Sequence, residues 1–211
     1  MNEGQGEVPW IRVSRPTGRD GEETDMTEHD LHGRKALVIV TNSGVEQDEL
    51  LRPVQFLQEH GAEVTIAAPE KGEVKTLVGD AQPGRSAQAE ATLDEVDPAG
   101  YDVVVVPGGT ENGAAIRGLE RAQDIVNAFA KDLKPIAAIC HAPWLLADAG
   151  LAQGATMTSY PELEDDLKAA GATWVDRDVV VDDHGGVTVI TSRTPKDLDA
   201  FTKAIETALV G

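Results

Sequence analysis

Beyond Lys35 the chain alternates short apolar runs with amphipathic stretches, the pattern of β-α-β units around a buried, mostly parallel sheet. The first run, Ala36-Leu37-Val38-Ile39-Val40, is continuously apolar, as a strand covered on both faces must be. Leu50, Leu51, Val54, Phe56 and Leu57 recur at mostly helical spacing, which predicts a helix over 47–60 that stops before Gly61. Further strands are predicted over 63–68, 103–106 and 136–139. The second of these ends abruptly at Pro107-Gly108-Gly109, and the third runs straight into Cys140-His141. Helices are predicted over 119–131, 143–149, 161–170 and 195–209, and short strands over 179–181 and 187–190. The class is α/β, with one domain over 34–211.

Residues 1–33 break with that pattern. They are mostly Gly, Glu, Asp, Arg, Thr and Pro with neither period, and are read as a disordered acidic extension. Met26 lies inside it and is a candidate natural start. Val8, Trp10, Ile11 and Val13 are the apolar group that would dock if any part of the extension does; the alternative is a passive tail.

Composition narrows the function. A net charge of −19 argues against a nucleic-acid or anionic-membrane partner, since such binding needs clustered Lys and Arg. No signal-peptide pattern and no membrane-length apolar run is present, so a cytoplasmic protein is expected. One cysteine makes no internal disulfide and no cysteine-rich metal site, which leaves Cys140 as buried packing or as a working thiol. Asp182-Asp183-His184-Gly185-Gly186 reads as a polar hairpin turn, and with no second histidine at ligand spacing no metal is expected; no organic-cofactor signature is present either, so no cofactor is expected.

In doubly wound sheets the chemistry lies just beyond the carboxyl ends of the strands. Those positions hold Glu46 and Glu49, then Gly108 and Gly109, then Cys140 and His141, which converge if their strands are neighbours. Cys140 occupies a strand-to-helix turn like that of a nucleophile elbow, and a helix N-terminus there predicts a lowered thiol pKa. Glu49 is the candidate hydrogen-bond partner of the sulfur; otherwise it is a solvated acid in a first helical turn. Gly108 and Gly109 suit an oxyanion hole or an ordinary loop, and the N–H of His141 is a natural second donor. The His141 ring either moves protons or packs, since neighbouring residues on a turn point in different directions.

Val-Pro-Gly-Gly-Thr at 106–110, Ala-Ile-Cys-His-Ala-Pro at 138–143, Thr-Ser-Tyr-Pro at 158–161 and Thr-Ser-Arg-Thr-Pro-Lys-Asp-Leu at 191–198 occur in one order with Glu46-x-x-Glu49. Together they resemble the PfpI family of the ThiJ/PfpI superfamily, from Lys35 to the C-terminus. The resemblance implies a flavodoxin-like three-layer sandwich, a homo-oligomer (dimer or hexamer), and a cysteine nucleophile at Cys140 with His141 and Glu49. It further implies a second acid at Glu46, an oxyanion-hole glycine at Gly109 and a tyrosine near the pocket at Tyr160. Family activities are described as intracellular peptidase, cofactor-free glyoxalase, deglycase and stress chaperone.

One departure bears on that choice. The family acid that reaches the histidine across a subunit interface falls at Ala114, within Glu111-Asn112-Gly113-Ala114; Glu111 is a substitute from a shifted position. A histidine without an orienting acid is a poorer base for amide hydrolysis, which lowers the peptidase reading. Thr191-Ser192-Arg193-Thr194-Pro195 holds neither the histidine nor the glutamate of a glutamine amidotransferase, so glutaminase activity is not expected. The leading expectation is cofactor-free thiol chemistry on small reactive carbonyls or glycated proteins. Its rivals are a peptidase and a redox-sensing stress chaperone.

Overall fold

The computed structural model describes residues 30–211. In chain order the strands and helices are β1 (Lys35–Ile39), β2 (Ser43–Glu46), α1 (Gln47–Glu59), β3 (Glu63–Ala68), β4 (Gly72–Val78), β5 (Gln82–Pro83), β6 (Ala87–Ala89) and β7 (Ala91–Thr92). There follow β8 (Val103–Val106), α2 (Thr110–Ile116), α3 (Glu120–Lys131), β9 (Ile136–Ile139), α4 (Pro143–Asp148) and β10 (Thr156–Met157). The chain closes with α5 (Glu164–Ala169), β11 (Thr173–Trp174), β12 (Val179–Asp182), β13 (Val189–Ser192) and α6 (Leu198–Val210).

The central sheet has seven strands in the order β12-β13-β9-β8-β1-β3-β7. All its pairings are parallel except β12 with β13. Side chains on successive strand residues point to opposite faces, and each face has its own apolar core. Leu37, Ile39, Val104, Val106, Ile136 and Ala138 pack with Phe129 of α3 and Leu145 of α4. Ala36, Val38, Val103, Val105, Ala137 and Ile139 pack on the other face with Leu50 and Leu57 of α1 and Phe201 and Ile205 of α6. Burial on both faces is why these strands read as unbroken apolar runs, and the result is the expected three-layer α/β sandwich.

Several boundaries differ from the sequence reading. The last strand is displaced to Val189–Ser192, because Ser192 continues the parallel ladder opposite Ile139 despite its hydroxyl. The 161–170 stretch begins as a tight 3-10 turn, Pro161–Leu163, before α5, and α6 is likewise preceded by a 3-10 turn at Pro195–Asp197. The 182–186 segment does join an antiparallel pair, β12 and β13. Residues 72–89, which carry no clear period, form a small lobe: β4 pairs in parallel with β2 and antiparallel with β5 and β6.

The packed chain starts before the boundary read at residue 34. Leu31 is fully buried, and its N–H donates to the carbonyl of His60 at 2.8 Å. The Met26 start and the Val8–Val13 apolar group lie outside the described residues. Among the described residues, no helix is long and apolar enough to cross a membrane, and no group of three or more His, Cys, Asp or Glu side chains could hold a metal ion.

Candidate active site

The neighbouring strands β9, β8 and β1 bring their carboxyl ends to one edge of the sheet, so the three sequence segments singled out above meet there. At the end of β9 the chain turns through Cys140 at φ +63°. That left-handed conformation costs a non-glycine residue about 1–3 kcal/mol and persists only where surrounding structure enforces it. Two hydrogen bonds do so. The Cys140 N–H donates to the Ser192 carbonyl at 3.0 Å, and the Cys140 carbonyl accepts from the Tyr160 N–H at 2.9 Å. The residue is 5% exposed.

Glu49, in the first turn of α1, is fully buried beside it. Its Oε2 accepts from the Gly108 N–H at 2.9 Å, while Oε1 meets no other donor and the carboxyl faces the thiol. Burial pushes the Glu49 pKa well above the carboxylate range, against the lowering effect of the thiol and Gly108 contacts. Burial, and next the Glu49 carboxylate, also push the Cys140 thiol up, opposed by a hydrogen bond from the Gly109 N–H. A helix N-terminus that lowers the thiol pKa is therefore not what this site contains. Helix α4 starts only at Pro143, which has no N–H, and has six residues. The thiol and the carboxyl form a buried pair with high proton affinity.

The glycines act through space and backbone. A Cβ on Gly108 would lie 2.5 Å from Glu49 Oε2 and 2.6 Å from the Cys140 Cβ, so any side chain there pushes the pair apart. The Gly108 N–H is committed to Glu49 and is not an open oxyanion donor. Gly109 has φ +98°, and a Cβ on it would stand 2.3 Å from the Gly44 carbonyl. Its N–H is directed at the sulfur. Asn112 fixes this loop: its Oδ1 accepts from the Thr41 N–H at 2.8 Å and its Nδ2 donates to the Pro107 carbonyl at 2.9 Å.

His141 does reach the sulfur. Nδ1 lies 3.1 Å from Cys140 Sγ, and the ring is held against Tyr160, with centroids 4.8 Å apart, and Trp144, at 5.4 Å. The other ring nitrogen, Nε2, is 3.0 Å from Glu162 Oε1. Within the chain, the acid on this ring is Glu162 and not Glu111, the substitute offered for an acid reaching across a subunit interface. Glu111 instead lies against Gly44. The overlooked signal is that Glu162 directly follows the Tyr160-Pro161 pair, in a turn tied to the Cys140 carbonyl.

Glu46 is buried at the edge of this group and does not touch the thiol. Its Oε2 accepts from the Asp80 N–H at 3.2 Å, and burial raises its pKa. Asp80, also missed, forms the β4–β5 turn at φ +56° and accepts from the Thr110 N–H at 2.9 Å. Its negative charge, with that of Glu46, adds to the proton affinity of Glu49.

Comparisons with known proteins agree with this architecture. Residues 34–208 match the model of the DJ-1/PfpI family. The deglycase PH1704 of Pyrococcus horikoshii is 38% identical over 165 residues, which cover 78% of this chain and 93% of that protein. Protein/nucleic acid deglycase 2 of Escherichia coli is 34% identical over 171 residues, covering 81% and 94%. The crystal structure of Drosophila melanogaster DJ-1beta superposes with a TM-score of 0.71 at 31% identity, over 84% of this chain and 91% of that one. The family-model match over most of the chain and the relatives at 38% and 34% identity place the chain in the DJ-1/PfpI family.

Proposed function

We propose that this protein is a cysteine-dependent enzyme of the glyoxalase and deglycase type, acting on reactive 2-oxoaldehydes or on their adducts with proteins. The carrying observation is that one buried sulfur sits between two different proton-handling groups, the His141 imidazole at 3.1 Å and the Glu49 carboxyl with its raised pKa. Relatives named deglycases support the reading.

In the proposed cycle His141 Nδ1 takes the Cys140 proton, the sulfur bonds to the aldehyde carbon, and Glu49 gives its proton to the former carbonyl oxygen. The hemithioacetal so formed loses its C–H proton to the Glu49 carboxylate while the imidazolium protonates the neighbouring carbonyl oxygen. Glu49 then returns the proton to that neighbouring carbon, the first hydroxyl gives its proton to His141, and a thioester of a 2-hydroxy acid results. Water cleaves the thioester, releasing the acid and restoring both protonated groups. No electrons leave the system: one carbon is oxidised and its neighbour reduced. A raised Glu49 pKa serves both the donor and the acceptor role.

Peptidase chemistry is the second reading, favoured by Glu162, which supplies the His141 ring with an acid. Access weighs against it, because a thiol in a residue 5% exposed admits a small aldehyde more readily than a peptide backbone. Incubating the purified protein with methylglyoxal and following lactate, alongside Cys140→Ser and a peptide substrate, tests both. Lactate formation lost in Cys140→Ser is the expected result. Lactate formation that survives the substitution, or peptide cleavage without lactate, overturns the proposal.

A further inference from the structure

We propose that Glu162 is a positioning residue for the thiol chemistry, fixing the tautomer and orientation of His141 from within the same chain. The inference rests on the reading of Cys140 as nucleophile for its effect on turnover, but its geometry stands alone. His141 is 1% exposed, and both ring nitrogens are engaged, Nδ1 by the Cys140 sulfur at 3.1 Å and Nε2 by Glu162 at 3.0 Å. An ionised carboxylate only accepts, so the proton between Glu162 and the ring resides on Nε2. Nδ1 is then left with its lone pair aimed at the thiol, the form that can accept the proton. The stacked ring of Tyr160 and the tilted ring of Trp144 oppose rotation that would exchange the two nitrogens.

Glu162 is itself held in place. It sits in the Pro161–Leu163 turn, between Tyr160, whose N–H is bonded to the Cys140 carbonyl, and Leu163, which is fully buried and whose N–H donates to the Tyr160 carbonyl at 3.0 Å. The peptide that places the acid therefore also clamps the strained turn of the nucleophile. Gly113 completes the fit, since a Cβ there would stand 2.6 Å from the Cβ of His141 and displace it. A side chain half open to solvent is not required for packing, which makes a positioning role separable from stability.

The test is nitrogen-15 NMR of histidine-labelled protein, with the His141 signals assigned by their loss in His141→Asn, combined with steady-state kinetics. The wild type is expected to show His141 protonated at Nε2 and bare at Nδ1. Glu162→Ala should lose that tautomer preference and lower kcat about 10-fold or more, with KM within about twofold and an unchanged thermal midpoint. Glu162→Gln, which keeps an acceptor without the charge, should retain the tautomer and fall between the two. An unchanged tautomer and kcat in Glu162→Ala overturns the inference. Should Cys140→Ser retain turnover, the nucleophile reading fails instead, and the NMR result still decides the role of Glu162.

Discussion

Replacing Glu49 with Gln should make the protein more stable and less active, with the gain growing as pH rises. The side chain is fully buried, and burial is the main reason that its pKa stands well above the ordinary 4.5. A carboxyl whose folded pKa is raised binds its proton more tightly in the folded state. Stability therefore falls as pH rises above the unfolded value, and keeps falling until the folded group ionises. Each pH unit in that window is worth about 1.4 kcal/mol. Gln cannot ionise, keeps an oxygen for the Gly108 N–H, and has nearly the same volume. The stability difference between Glu49→Gln and wild type should thus widen as pH rises above the unfolded value, for as long as the folded carboxyl keeps its proton, and flatten below pH 4.5. Urea unfolding of both proteins at half-unit steps from pH 4 to pH 8 measures it, with titrating groups remote from the site cancelling in the comparison. Turnover should be lost across the range. Parallel stability curves would refute the claim that Glu49 is held with its proton at a desolvation cost.

Gly108→Ala should unfold about 2 kcal/mol more easily and lose most turnover, since its methyl would meet Glu49 Oε2 and the Cys140 Cβ inside 3 Å; urea midpoints and lactate assays read the two effects. Asp80→Asn should speed iodoacetamide labelling of Cys140 at pH 7, because one of the negative charges that raise the thiol pKa is removed while the turn is kept. Equal labelling rates in the two proteins would show that Asp80 matters only as a cap for Thr110.

The layers of the fold are legible wherever burial is uniform. Ala36–Val40, Val103–Val106 and Ile136–Ile139 are apolar because both faces are covered, and their shortness and flanking turns mark them as strands. The small lobe of β4, β5 and β6 is not legible, because Gly72–Val78 has one largely exposed face and its antiparallel partners β5 and β6 are two and three residues long. Of the site, the positions that follow the strands can be named from order alone. What cannot be read is which way a side chain points at a turn. His141 lies against the sulfur of its own neighbour at a turn where Cys140 takes a left-handed conformation, which no residue type in that segment announces. Glu162 and Asp80 are hidden for a related reason: each lies in a tight turn where acids are common as turn formers.

The left-handed turn at Cys140 also orders events during synthesis. Its two clamps, the carbonyl of Ser192 and the N–H of Tyr160, lie downstream of Cys140, and the strand holding Ser192 is the last in chain order. A nascent chain that has emerged only as far as α5 has the cysteine but lacks the ladder that bends its backbone. The placement of the sulfur against His141 therefore rests on a backbone contact that forms only when the chain is nearly complete.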